Sequence, residues 1–394
     1  MLKSRFWYKS LLLWILKISG AFYKAPSNLS YWWNFGFISL YFLLSQIITG
    51  VILAMFYNAN SDLAFKIIYN ISNEIYYGWW IRYIHSNGAS FFFFIVYLHI
   101  ARNLYYGTYL FPRQLLWTSG MIIVCLMIAT AFLGYILPWG QMSFWGAMVI
   151  TSLVGSIPFV GNDILFLLWG GYSIDNATLH RFYSLHYLLP FLILFLSIVH
   201  ILLLHEFGSS NPLGLSSRLD NIPFNPYYTL KDSFSIVLLL IFFFIIITLA
   251  PDYLGHSDNY IEANPLATPA HIVPEWYFLP LYAVLRSVTN KLLGILFIAL
   301  FILSFFLLPV IQKNSFLKSS RFRPFYRLLS LIFIFLCIGL GWIGSLPVIS
   351  PYLELGQYFT VFFFVIWFLF IVNSYIERLV LDIYYFRLKS VIRI

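Results

Sequence analysis

The apolar positions of this chain fall in long runs rather than short alternations. Eight runs of about 20 residues stand at roughly 32–56, 78–104, 114–137, 178–205, 231–250, 290–311, 326–346 and 354–376. Each is long enough to carry a helix across the ~30 Å hydrocarbon core of a bilayer. Two of the intervening connections, 138–177 and 251–289, are long and carry patterns of their own. The pattern predicts an all-α integral membrane protein with eight transmembrane helices and both termini on one side. Residues 1–31 precede the first run and are expected to form a basic amphipathic helix on the membrane surface. Their apolar stretch, Leu11 to Leu16, is short, is followed at once by Lys17, and lacks the small-residue cleavage site of a secretory signal.

Composition supports this reading, and charge orients it. A 394-residue chain that is 61% hydrophobic and 9% charged has too much apolar surface for a soluble core. Its net charge of +9 would suit nucleic acid, but the distribution excludes that partner. With eight spans, 18 of the Lys and Arg residues fall on the side of the termini (side N) and 5 on the opposite side (side P), whereas 9 of the 14 acids fall on side P. That asymmetry is the positive-inside rule, and side N faces the compartment of synthesis. Cys125 and Cys337 both lie within apolar runs and form no CxxC or CxxCH motif.

Histidines break the second and fourth runs at a repeated interval. His85 and His99 are fourteen residues apart, and so are His186 and His200. Fourteen residues leave a net helical rotation of about −40° and an axial rise of about 21 Å, so each pair shares one face of its helix. Spans two and four run in the same direction, which sets His85 level with His186 near side P and His99 level with His200 nearer side N. A neutral imidazole at membrane depth needs a polar partner. Interhelical hydrogen bonds or a proton relay would supply one. Two bis-histidine iron sites, holding two b-type haems non-covalently, explain in addition why the interval is duplicated. Gly36 and Gly50 on span one, and Gly120 and Gly134 on span three, repeat the fourteen-residue interval and would let a macrocycle approach the backbone. Arg82 and Arg102 each stand three residues from a histidine, where a cation can pair with haem propionates.

The motifs RYIHSNGAS, GYILPWGQMSFWGAMVITSL, HRFYSLHYLLP, GHSDNYIEANPLATP and PEWYFLPLYAVLR resemble cytochrome b, the membrane core of the respiratory quinol–cytochrome c reductase (complex III), of the mitochondrial type. The resemblance runs from SNLSYWWNFG at residue 27 to about Pro309, and more loosely through the last two spans. The related photosynthetic complex is similar but has one extra residue between its second histidine pair and divides its spans between two chains. The resemblance implies a four-span di-haem bundle over 32–210, including the connection 138–177. It also implies a C-terminal four-span region over 211–394, with the PEWY connection 251–289 and a basic tail. By resemblance, His85 and His186 hold the low-potential haem, and His99 and His200 the high-potential one. Quinol is oxidised on side P, one electron leaving to a Rieske iron–sulfur protein and the other crossing both haems to reduce ubiquinone near side N. A cytochrome c-type subunit, accessory subunits, membrane lipid and a homodimeric complex complete the expected partners.

For the P-side pocket the resemblance implies Glu275 and Tyr282 as proton-handling groups, with Phe132, Met142 and Gly146 as its outline. PEWY follows a proline-rich stretch, so its backbone is expected to leave the regular helix, which is tolerable at membrane depth only along a cavity wall. On side N, His205 and Asp232 are expected to deliver protons to quinone, with Ser209, Asn34 and Trp33 around them. Asn221, Asn225, Phe37, Ile38, Ala101 and Asn103 depart from the family's usual residues and bear on the N-side pocket. An anchor of another quinone reductase would have no reason to carry PEWY and GQMSFWGA. A proton-relay transporter would show inverted repeats and unequal histidine spacing. The expected location is the mitochondrial inner membrane, with a bacterial plasma membrane as the alternative.

Overall fold

The computed structural model describes residues 23–392 apart from 218, 314 and 316. Eight helices among them are long and apolar enough to cross a membrane. In chain order the helices are α1 (Phe35–Ala54), α2 (Ala64–Asn73), α3 (Gly78–Tyr105), α4 (Gln114–Ile136), α5 (Gln141–Ser152), α6 (Gly161–Trp169) and α7 (Asn176–Phe207). They continue with α8 (Tyr227–Leu249), α9 (Leu279–Arg286), α10 (Lys291–Ile311), α11 (Pro324–Gly344) and α12 (Tyr352–Ile392). The short helices α2, α5, α6 and α9 lie on the P-side connections and do not cross. Sequence-visible signals fix several helix starts. Asp175 and Thr178 form a capping box at α7, the Asn290 side chain accepts from Leu293 N at α10 (3.0 Å), and Pro324 opens α11.

Helices α1 and α3 pack along each other, as do α4 and α7. The histidines lie on α3 and α7, and the four fourteen-spaced glycines lie on α1 and α4. On side P, the start of α5 is bound to the 259–267 segment. Gln141 N donates to Ile261 O (2.9 Å), Gln141 Nε2 to Ala267 O (2.9 Å), and Ser143 N and Oγ both to Asn259 Oδ1 (2.9 Å). The motifs GQMSFWGA and NYIEANPLATP, far apart in sequence, therefore form one cover over the P-side end of the bundle.

One expectation about the ends changes. The surface helix expected over 1–31 lies outside the described residues as far as position 22, and from there on the chain is not that helix. Lys24–Pro26 (β1) pairs antiparallel with Asn221–Pro223 (β2), Ala25 opposite Ile222, and a short 3-10 turn follows at Tyr31–Trp33. Pro26 and Pro223 each lack an N–H, which suits an isolated two-stranded edge. At the other end, the basic tail is a direct continuation of the last span. It is held where Arg323 meets Glu377, the Arg323 Nε donating to both carboxylate oxygens (2.9 Å each). Arg323 also donates to Gln312 Oε1 (2.7 Å) and lies over the Tyr326 ring at 3.8 Å.

Candidate functional site

The four histidines are each backed by one of the four glycines. A Cβ on Gly50 would come within 3.0 Å of the His85 ring, one on Gly120 within 3.1 Å of His200, and one on Gly36 within 3.4 Å of His99; on Gly134 it would overlap His186 outright. The sequence interval therefore marks two levels, with two glycine–histidine contacts at each.

Hydrogen bonds at Nδ1 set the state of the rings. Thr49 Oγ1 gives its proton to Ser45 O (2.7 Å), so it accepts from His85 Nδ1 at 2.9 Å. The carbonyl of Thr130 can only accept, from His186 Nδ1 at 2.8 Å. Ser119 Oγ donates to Leu116 O (2.9 Å) and accepts from His200 Nδ1 at 2.8 Å. In these three rings Nδ1 carries the proton and Nε2 the lone pair, the tautomer a metal ligand requires. His99 differs. Its Nδ1 faces Arg102 Nη2 at 3.4 Å, and a guanidinium can only donate, so this long contact favours the opposite tautomer.

The donor set suits haem. The His85 and His186 ring centroids are 6.2 Å apart with planes at 85°. Two metal–nitrogen bonds of about 2 Å in line, extended through each ring to its centre, require roughly 6 Å. Among the described residues no three His, Cys, Asp or Glu side chains converge as a metal cluster. A macrocycle that brings its own equatorial nitrogens needs only such a pair. Nearer side N, Arg102 is buried, sits over Trp33 at 5.0 Å, and has a buried Nε with no hydrogen-bond partner. An anionic group would satisfy that atom. The residues present thus fit haem at the P-side level; at the N-side level His200 and the unpartnered Arg102 suit it, while His99 would have to change tautomer to ligate.

The P-level histidines open on a cavity of about 300 Å³, which Gly50, Gly134, Arg82, Tyr135 and Glu275 also line. Glu275 stands at the start of a 3-10 turn, Trp276–Phe278, that leads into α9. It also lines a second cavity of about 250 Å³ with His256, Pro274 and Trp276. Burial pushes the Glu275 carboxyl up to about 7, against a weaker downward pull from the Tyr135 hydroxyl. The Tyr135 hydroxyl is close, but in this conformation its geometry falls short of a hydrogen bond.

Other expected P-side residues sit elsewhere. Tyr282 donates to Ile272 O at 3.3 Å under the Arg286 guanidinium, 5.3 Å from its ring, and is not on the cavity wall. Phe132 packs towards Phe182 (6.2 Å), Met142 is fully buried on α5, and Gly146 faces open space; none of the three lines the cavity.

On side N, Tyr23 stacks on His205 (4.5 Å between centroids) and shares a 2.9 Å hydrogen bond with Ser209 Oγ. Asn34 Nδ2 donates to Ser235 Oγ (2.6 Å) and to Lys231 O (3.2 Å), and Lys231 Nζ donates to Leu29 O. Asp232 is buried on α8. His205 with Ser209 and Asn34 with Lys231 form two clusters joined through Tyr23, Phe224 and Tyr228. Sequence reasoning passed over Tyr23, Tyr135, Thr130, Thr49 and Ser119. For the last two a signal existed: each immediately precedes one of the spaced glycines, Gly50 and Gly120.

Fold and site together define a polytopic helical membrane protein whose paired histidines suit haem. The profile described as Cytochrome b/b6/petB matches residues 21–208, and that described as Cytochrome b(C-terminal)/b6/petD matches 262–364. Cytochrome b of Chondrus crispus is 52% identical over 345 residues, covering 87% of this chain and 90% of its own. That of Marchantia polymorpha is 54% identical over 342 residues, covering 87% and 84%. A solved structure titled "Hyperthermophilic respiratory Complex III" aligns with TM-score 0.86 at 35% identity, covering 90% of this chain and 94% of its own. The chain belongs to the cytochrome b family, and membership implies b-type haem.

Proposed function

We propose that this chain is the cytochrome b subunit of a quinol–cytochrome c reductase, oxidising quinol on side P and reducing quinone near side N. The observation that carries the reading is that Glu275 and the His85/His186 pair line one cavity. Two haems, held by His85 with His186 and by His99 with His200, supply the electron path between the two sides when bound. Arg82 and Arg102 would offer their propionates a cation at each level. At the N-side level a propionate that drew Arg102 away from Nδ1 would release His99 into the ligating tautomer.

The protein's own task is proton handling and positioning. With its carboxyl poised near 7, Glu275 is partly ionised at neutral pH and can take a proton from a quinol hydroxyl. Its second face, towards His256 and Pro274, gives that proton an outlet to side P. Tyr135 stands beside the carboxyl on the same cavity wall, and the family resemblance adds Tyr282, Phe132, Met142 and Gly146 to the pocket outline. On side N, His205 and Asp232 deliver protons to reduced quinone, with Ser209, Asn34 and Trp33 shaping the pocket. Taking up protons on one side and releasing them on the other builds membrane potential, against which a full charge crossing costs roughly 2.3 kcal/mol per 100 mV.

The reading carries the di-haem region 32–210 and the C-terminal region 211–394 with it. The Rieske protein, a cytochrome c-type subunit and accessory subunits act beside it in a homodimeric complex. The mitochondrial inner membrane is the setting, a bacterial plasma membrane the alternative. Membranes carrying the assembled complex test it: Glu275→Gln should leave the b-type spectrum intact while quinol-driven cytochrome c reduction falls. Unchanged turnover would refute the proton role.

A further inference from the structure

The P-side mouth of the cavity carries an arrangement that the quinol reading does not use. Arg82 makes no ion pair among the described residues. Its Nη1 donates to Ser72 Oγ (3.1 Å), and its guanidinium lies 5.6 Å from the Tyr83 ring centroid and 5.7 Å from that of Tyr260. The nearby carboxylate of Asp252 is engaged otherwise. Tyr83 donates to Asp252 Oδ1 at 2.8 Å, and Tyr260 donates to the same oxygen. Arg82, Tyr83, Asp252 and Tyr260 all line the cavity that holds His85 and His186.

Arg82 and Asp252 contact the same two tyrosine side chains, one at the rings and the other at the hydroxyls, and opposite charges so placed are natural partners for each other. Here the two tyrosines are interposed. Each directs its hydroxyl to the carboxylate and its ring to the cation, and a phenol that donates to a carboxylate offers the more electron-rich ring to a cation–π contact. Both charges are satisfied without meeting.

We infer that Tyr83 and Tyr260 are spacers that keep Asp252 off Arg82, so that the Arg82 charge stays free to face an anionic group in the cavity. The inference rests on the reading that Arg82 serves a haem propionate. Tyr83, Tyr260 and Asp252 are positioning residues. With both hydroxyls removed, Asp252 swings to Arg82 and neutralises it, the P-level haem loses a stabilising cation, and its reduced form becomes less favoured.

The test uses the assembled complex in membranes, with potentiometric titration of the low-potential b component. Tyr83→Phe with Tyr260→Phe should lower its midpoint, giving a several-fold higher oxidised-to-reduced ratio at the wild-type midpoint. Adding Asp252→Asn should return the midpoint to that of Asp252→Asn alone, because the competing carboxylate is gone. A merely structural loss would not be rescued by removing a second partner. An unmoved midpoint in the tyrosine pair, or a shift that persists in the triple variant, overturns the inference. Arg82→Ala separates the two levels of the argument. If it leaves both midpoint and haem retention unchanged, the propionate reading itself fails; if it shifts them while the tyrosine pair does not, only the spacer role fails.

Discussion

The imidazoles of His85 and His186 meet with ring centroids 6.2 Å apart and planes at 85°, and a glycine backbone stands behind each, Gly50 behind His85 and Gly134 behind His186. A single methyl group on either glycine would press on the facing ring and is therefore a probe of the site.

Alanine at the four glycines should act in graded fashion. At Gly134 a Cβ overlaps His186, at Gly50 and Gly120 it comes within 3.0 and 3.1 Å of the facing ring, and at Gly36 it makes an ordinary contact at 3.4 Å. Gly134→Ala should abolish the low-potential b component, Gly50→Ala and Gly120→Ala should weaken one component each, and Gly36→Ala should be nearly silent. Reduced-minus-oxidised spectra of membranes read this directly; equal effects at all four positions would contradict the contact geometry.

Glu275 predicts a pH dependence. Its carboxyl, lifted to about 7 by burial, must be ionised to accept a proton, and the ionised fraction rises with pH through that value. Quinol oxidation should climb between about pH 6 and 8 and then level. Glu275→Gln should lower the rate about 100-fold, within the range of a lost general base, and flatten the climb. Stability runs the other way: a carboxyl whose pKa is raised on folding favours the fold while protonated, and that contribution is lost as pH rises through about 7. A variant that keeps the wild-type slope would show that another group titrates.

Much of this was legible in the sequence because the bilayer makes the code simple. Span length fixes the helices, and at 3.6 residues per turn a fourteen-residue interval fixes both the face and the level of His85, His99, His186 and His200. The glycines read out for the same reason. What escaped depends on contacts between segments far apart in sequence. Nothing local shows that Lys24–Pro26 pairs with Asn221–Pro223, that Thr130 supplies a carbonyl to His186, or that Tyr282 turns to Ile272 O. Tyr135 looked like one more aromatic on a hydrophobic helix, and only the return of the PEWY segment brings it to Glu275.

The last helix offers a stability test. Arg323 is fully buried against Glu377, at 20% side-chain exposure and 2.8 Å, and Asn373 Nδ2 also donates to Glu377 Oε1 (3.0 Å). Removing the carboxylate strands a buried cation. Glu377→Ala should therefore cost about 3–5 kcal/mol, seen as a lower midpoint of thermal unfolding of the complex. The double variant Arg323→Met with Glu377→Leu should recover most of the loss. Truncation after Tyr384, which spares the pair, should leave the midpoint near wild type. A harmless Glu377→Ala would mean that the pair does not anchor the helix.

The most direct measurement is a potentiometric titration of the visible b bands in wild type, His186→Ala and His200→Ala. Two haem levels predict two b-type components in wild type, the lower-potential one lost in His186→Ala and the higher-potential one lost in His200→Ala. A single component in wild type, or loss of the same component in both variants, would contradict the assignment of one haem to each histidine pair.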